Sequence, residues 1–230
     1  MLSEQDITKF ENSIGYTFRD KELLIQAFTH SSFVNEQKIN KKSDYERLEF
    51  LGDAVLEMIS SAFLFRKYPD KKEGEMSKIR ASLVCEPALA YAAEKLDIKN
   101  YIQLGKGEES TGGRNKESII SDVVESIIAA LFLDGGIEES KKFIDAYILT
   151  NADSMQMFSD SKSVLQEIVQ GKNIGQIRYE ISGESGPEHD KIFEVCVFVG
   201  DNKLGEGTGK TKKAAEQKAA YEAILVLKKK

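Results

Sequence analysis

Five acidic residues in two short stretches offer the most definite chemistry in this sequence. Glu46, Glu49 and Asp53 are spaced three and four apart, so on a helix they fall within about 60° of one another on one face. Asp122 and Glu125 lie three apart in Ile119-Ile-Ser-Asp-Val-Val-Glu-Ser-Ile-Ile-Ala-Ala-Leu131. That stretch is apolar on almost every side, as a buried helix would be. Acids on an exposed stripe are commonly a solvated face, and Glu46 to Asp53 alone leaves that reading open. Buried acids are costly unless paired or bound to metal, and no Lys or Arg lies between Ser118 and Gly136. Two readings remain: an ion pair to a distant Arg80 or Arg47, or a hard divalent cation held by carboxylate oxygens. Such cations activate water and steady a leaving oxygen, with paired ions ~4 Å apart. That chemistry suits phosphodiester hydrolysis and needs no covalent nucleophile. No Ser/His/Asp arrangement is evident, and His30 stands without a motif. A di-iron site wants Glu-x-x-His pairs, and the sequence has none. Glu57 continues the first acidic stripe and is read as solvent-exposed.

These acids need helices to hold them, and the first two-thirds of the chain reads as helical. Helix-like apolar spacing appears at Leu23-Leu24-Ala27-Phe28, through Leu51–Phe65, at Ile79–Leu96, through Ile119–Leu133 and at Phe143–Leu149. Prolines occur only at positions 69, 87 and 187, so little interrupts the pattern. Gly105–Gly113 reads as a polar, glycine-rich loop, and Asp134-Gly-Gly136 closes the strongest helix. The spacing predicts an all-α domain over residues 1–150 and a polar linker over 151–160.

The texture then changes. Ser163–Gln170 reads as a short helix. Gln176–Ser182 alternates, with Ile177, Tyr179 and Ile181 on one face. Ile192–Val199 alternates too, and Asp201-Asn202 reads as a hairpin turn before Lys203–Gly207. Lys212–Leu227 is helical again. Residues 161–230 thus form a small α+β domain of order α-β-β-β-α. Lys210, Lys212 and Lys213 open its last helix, where positive charge opposes the macrodipole. The arrangement makes sense with a phosphate at that terminus; a solvated charge run is the other reading. Gly205, Gly207 and Gly209 would let the backbone approach such a ligand closely. There is no Arg/aromatic platform of the single-strand type. Arg178, Glu180 and Lys203 read as ordinary strand surface.

Composition sets wider bounds. The 230 residues are 41% hydrophobic and 30% charged, which allows a proper core in one large or two smaller domains. The net charge of −6 divides unevenly: residues 160–230 hold 12 basic and 11 acidic side chains, leaving 20 and 27 for residues 1–159. An acidic module is joined to a nearly neutral one. No apolar run approaches the ~20 residues that cross a bilayer. Met1 to Glu11, with Glu4, Asp6 and Glu11, lacks a signal-peptide pattern. No membrane association is expected, and a cytoplasmic location is the default. Cys85 and Cys196 make no disulfide framework, and with His30 and His189 they make no structural zinc site.

At this point a resemblance becomes specific. Glu46-Arg-Leu-Glu-Phe-Leu-Gly-Asp53 resembles the signature of bacterial ribonuclease III. The segment from Glu73 through Met76, Ser77 and Arg80 to Val84 resembles the block that follows it. Asp122-Val-Val-Glu125 with Leu131-Phe-Leu-Asp134 resembles the second acidic block, and Thr29-His-Ser-Ser-Phe-Val-Asn-Glu36 the N-terminal segment. Gly186-Pro-Glu-His-Asp-Lys191 and Gly205 to Gln217 resemble the double-stranded RNA-binding domain. The resemblance covers nearly the whole chain, in order. It implies a homodimeric endoribonuclease for double-stranded RNA that uses Mg²⁺, with Mn²⁺ as a substitute and no small-molecule cofactor. It also implies products with 5′-phosphate and 3′-hydroxyl ends, from ribosomal RNA precursors and structured messenger RNA. By position, Glu49, Asp53, Asp122 and Glu125 resemble metal ligands, with Asp53 and Glu125 catalytic. Glu46 and Glu73 resemble accessory catalytic acids. Phe50 resembles the aromatic that inserts into a partner subunit; an ordinary core Phe is the plainer reading. Gln166, Glu167 and His189 would face minor grooves, and Lys210, Lys212 and Lys213 would hold phosphates. Ser126 departs mildly from the pattern, standing where a small apolar residue is usual. The alternative is a protein that holds double-stranded RNA without cutting it. Such a protein predicts lost acids, and all six are present.

Overall fold

The computed structural model describes residues 2–37, 44–151, 161–186, 191–209 and 211–228. The chain divides into two compact units, Met1–Ala152 and Asp153–Lys230. Of the stretch read as a linker, 152–160 lie outside the described residues, as do His189 and Lys210.

The first unit is helical, as its apolar spacing predicts. Its α-helices are α1 (Glu4–Ile14), α2 (Lys21–Ala27), α3 (Ser31–Gln37), α4 (Glu46–Lys67), α5 (Glu73–Leu83), α6 (Glu86–Glu94), α7 (Lys106–Ser110), α8 (Glu117–Gly135) and α9 (Ile137–Tyr147). Helix α8 is the centre: α2, α4, α6 and α9 all pack on it. That encirclement is why its sequence is apolar all round; Ile120, Val123, Val124, Ile127, Ile128 and Leu131 are all buried. Asp134, in its last turn, accepts hydrogen bonds from the Tyr16 hydroxyl at 2.6 Å and the Arg19 and Asp20 amides at 2.9 Å. It ties the N-terminal segment to the end of the central helix.

Two local readings need correction. The run Ile79–Leu96 is two helices. Val84 closes α5, Cys85 is extended (φ −73°, ψ 155°), and Pro87 stands in the first turn of α6, where an amide has no helical partner anyway. The apolar spacing carries across the break because both helices bury residues, Leu83 on one side and Leu89 on the other. Gly105–Gly113 is also not simply a loop, since α7 lies inside it. The Gly105 amide donates to Ser32 Oγ at 2.9 Å and the Gly107 amide to Glu36 Oε1 at 3.1 Å. Side chains of α3 thus satisfy amides at the start of α7, a device no local sequence window contains.

The second unit has α10 (Ser161–Lys172), β1 (Ile177–Ser185), β2 (Ile192–Val199), β3 (Asn202–Gly209) and α11 (Lys212–Lys228). This is the expected α-β-β-β-α order, with an antiparallel sheet of order β1-β2-β3. The hairpin turn falls at Gly200-Asp201 rather than Asp201-Asn202. Gly200 takes a φ of 59° and Asn202 already pairs with Val199. Ile181 leaves the inward face of β1: a register shift between Ile181 and Gly183 leaves it 47% exposed.

The glycines of β3 serve packing, contrary to the expected role near a phosphate. A Cβ on Gly207 would stand 2.4 Å from both the Ala215 oxygen and the Ala219 nitrogen, and one on Gly205 would stand 2.4 Å from the Ala219 oxygen. Helix α11 lies flush on the strand because neither surface carries bulk. Buried Ala215, Ala219 and Ala223 complete that contact.

Candidate active site

Helices α4 and α8 bring the acids together. Glu46 and Glu49 fall in the first turn of α4, and Asp53 one turn later; Asp122 and Glu125 project from the middle of α8. The helices approach at Gly52. A Cβ there would lie 1.8 Å from the backbone oxygen of Glu125, so only hydrogen permits this approach. The sequence shows a glycine inside a helix, which by itself reads only as a cost to helix stability. Its value lies in the neighbour.

Glu49, Asp122 and Glu125 converge, each half-buried, with one carboxylate oxygen from each within 4.8 Å of the others. Asp53 is exposed and stands outside that trio, though its charge acts on both Glu49 and Glu125. Glu46 is exposed as well and acts on Glu49. Burial first, then Asp53, Asp122, Glu49 and Glu86, push the Glu125 carboxyl up to about 8. Burial, then Asp122, Glu46 and Asp53, push Glu49 up. Burial also raises Asp122, against a hydrogen bond from Tyr45. Glu86, at the start of α6, adds to the negative potential at Asp122 and Glu125 and was not singled out by its sequence setting.

The ion-pair reading of these acids is not supported. Arg80 turns to Ser61 Oγ at 2.7 Å and to Glu57 at 4.0 Å, and Arg47 is exposed. Glu57 is consequently half-exposed beside Arg80 rather than simply solvated. Among the described residues no basic side chain forms an ion pair with Glu49, Asp122 or Glu125. Three converging, partly desolvated carboxylates with raised proton affinity fit a divalent cation, which removes their repulsion and is matched by hard oxygen donors.

Glu73 is not brought to this trio within one chain. It lies in the exposed first turn of α5, where its Oε1 accepts from Ser77 Oγ at 2.8 Å. It borders a depression lined by Ser61, Phe65 and Arg80, the α4 residues of which lie about 12 to 18 Å along that helix from Asp53. Phe50 is 82% exposed, which excludes the core reading within this chain. It begins an apolar stripe that continues through Ala54, Met58 (54% exposed) and Phe65 (73% exposed). The stripe runs beside the acidic one on α4.

The second unit presents its own candidates. Gln166 and Glu167 are exposed on α10. Lys212 and Lys213 are exposed in the first turn of α11, which Thr211 caps by accepting the Ala214 amide at 3.1 Å. The Lys212 ammonium stands 5.6 Å from the centre of the Phe193 ring. Arg178 pairs with Glu180 at 2.6 Å and Lys203 with Glu206 at 2.7 Å, as ordinary strand surface. No helix among the described residues is long and apolar enough to cross a membrane.

Comparison with known proteins agrees with this division. Residues 20–152 match the family described as Ribonuclease-III-like, and residues 161–227 match the double-stranded RNA binding motif. The chain is 50% identical over 218 residues to Ribonuclease 3 of Listeria welshimeri, covering 94% of this chain and 95% of that protein. It is 49% identical over 236 residues to Ribonuclease 3 of Shouchella clausii, covering 100% and 90%. Among solved structures, the nuclease domain of ribonuclease III from Campylobacter jejuni is 43% identical with a TM-score of 0.59, covering 63% of this chain and 97% of that one. Structural flexibility in a region involved in dimer formation is described for that protein.

Proposed function

The chain belongs to the ribonuclease III family and is an endoribonuclease for double-stranded RNA, and we propose that Glu49, Asp53, Asp122 and Glu125 hold its divalent ions. The observation that carries this reading is the convergence of Glu49, Asp122 and Glu125 from two helices within 4.8 Å. When bound, the ions supply an activated water and neutralise charge at the scissile phosphate. Hard carboxylate donors favour Mg²⁺, with Mn²⁺ as a substitute. Asp53, exposed beside the trio, completes the ligand set from the open side. Asp53 and Glu125 are the catalytic acids among the ligands, and Glu46 and Glu73 act as accessory acids toward the RNA. Because Glu73 is remote from the trio in one chain, its part is played across a homodimer. Phe50, exposed at the head of an apolar stripe, enters the partner subunit.

The second module supplies affinity for the duplex. Gln166, Glu167 and His189 face minor grooves, and Lys210, Lys212 and Lys213 hold phosphates at the start of α11. Products carry 5′-phosphate and 3′-hydroxyl ends, and the substrates are ribosomal RNA precursors and structured messenger RNA in the cytoplasm. The test is incubation with long double-stranded RNA in Mg²⁺ or in EDTA. Cleavage in Mg²⁺ alone is expected, and Glu125→Ala should bind the duplex without cutting it. Intact RNA in both tubes, with binding retained, would leave a duplex-binding protein instead.

A further inference from the structure

Tyr45 joins the two helices that carry the acids. Its carbonyl oxygen accepts the Leu48 amide at 2.8 Å and the Glu49 amide at 2.9 Å, the hydrogen bonds that start α4. Its phenol crosses to α8 and donates to Asp122 Oδ2 at 3.3 Å. The residue is 3% exposed, so little bulk water reaches it to compete for that contact. Its surroundings hold it from several sides. The Tyr45 amide donates to the Thr29 oxygen at 2.9 Å, and the His30 ring meets the Tyr45 ring edge-on at 5.6 Å. His30 Nδ1 in turn accepts the Ser32 amide at 3.1 Å. Ser126, fully buried one turn beyond Asp122, donates to the Tyr45 carbonyl oxygen at 3.4 Å. The one departure from the family pattern in the second acidic block therefore has a partner: it anchors the main chain of the residue whose side chain touches Asp122.

We propose that Tyr45 is a positioning residue for the cation site: its hydroxyl fixes the rotation of the Asp122 carboxylate and leaves the second oxygen to ligate. This rests on the ion-binding reading above. A carboxylate attached to α8 by rotatable bonds can turn away from Glu49 and Glu125, whose carboxylate oxygens crowd it within 4.8 Å. A donor on one oxygen opposes that rotation. Outer partners of this kind typically contribute 10–100-fold to ion affinity. Phenylalanine at this position fills the same space and keeps the ring contact with His30, so it removes the hydroxyl alone.

The test compares full-length parent, Tyr45→Phe, Asp122→Asn and the double variant. Mn²⁺ binding is followed by electron paramagnetic resonance, and thermal melting is followed in EDTA. Tyr45→Phe should bind Mn²⁺ about 10–100-fold more weakly while melting like the parent in EDTA. The Mg²⁺ concentration for half-maximal cutting should rise, with the rate at saturating Mg²⁺ largely retained. In the Asp122→Asn background, Tyr45→Phe should add little, because the partner is already changed. Binding within twofold of the parent for Tyr45→Phe, with Asp122→Asn clearly weakened, overturns the positioning role and leaves the ion site standing. Unchanged binding in Asp122→Asn overturns the ion site itself. A loss of equal size in both backgrounds overturns the route through Asp122.

Discussion

The backbone oxygen of Glu125 occupies the space that a side chain on Gly52 would need, 1.8 Å from the position of its Cβ. The contact sets how near α4 comes to α8, and thereby how near Glu49 comes to Asp122 and Glu125. Gly52→Ala must push the helices apart at that point. A loss of about 3 kcal/mol in urea unfolding is expected, at the upper end for overpacking, together with weaker Mn²⁺ binding. A variant with parental stability and parental ion affinity would mean that the close approach does not govern the site.

The raised proton affinity of Glu125 gives a pH dependence of definite sign. Below an ordinary value of 4.5 this carboxyl is protonated in both folded and unfolded chains. As pH rises from there toward about 8, the unfolded chain ionises first, so stability of the ion-free protein falls; beyond about 8 the loss is complete. Melting temperatures in EDTA should decline across that window, and Glu125→Gln should flatten the decline. Mg²⁺ should raise the melting temperature more at the alkaline end than at the acidic end. Parallel curves for parent and Glu125→Gln would remove this group as the cause.

Phe50 contributes little to its own chain, since most of its surface is exposed. Phe50→Ala should shift sedimentation toward the monomer while leaving the far-ultraviolet spectrum unchanged. The cost to the monomer fold should stay within ~0.5 kcal/mol, as for other exposed positions. A dimer of undiminished affinity would show that the apolar stripe of α4 is covered in some other way.

Lys212 and Lys213 should act on affinity and leave the chemistry alone. Replacing both by Ala weakens duplex binding and lowers the slope of log affinity against log salt by up to ~2, since each phosphate contact releases counterions. The rate at saturating duplex should be retained. A salt slope equal to the parent's would place the phosphate contacts elsewhere.

Much of this arrangement is legible in the sequence. Period and polarity alone distinguish the helical module from the α-β-β-β-α module. The apolar encirclement of Asp122 and Glu125 marks α8 as buried, and the stripe on α4 supplies the matching acids. Features that depend on a distant partner are not legible. Nothing around Tyr45 says that its hydroxyl ends on Asp122, and nothing around Gly52 says that a carbonyl fills the space beside it. The start of α7 is hidden because Ser32 and Glu36 complete it from another helix. Gly205 and Gly207 mislead in the opposite direction: small residues beside lysines suggest room for a phosphate, whereas an alanine-faced helix already fills it.

The division of the acids between α4 and α8 has a consequence for the order of events on the ribosome. Glu46, Glu49 and Asp53 are made long before Asp122 and Glu125, and α4 has no complementary acids until the central helix follows. Tyr16, Arg19 and Asp20 wait longer still: the Tyr16 hydroxyl meets Asp134 across a separation of 118 residues. If Asp122 and Glu125 hold the ions, a nascent chain stopped short of α8 has no ion site, so a truncated product cannot cut the duplex RNA around the machinery that is making it.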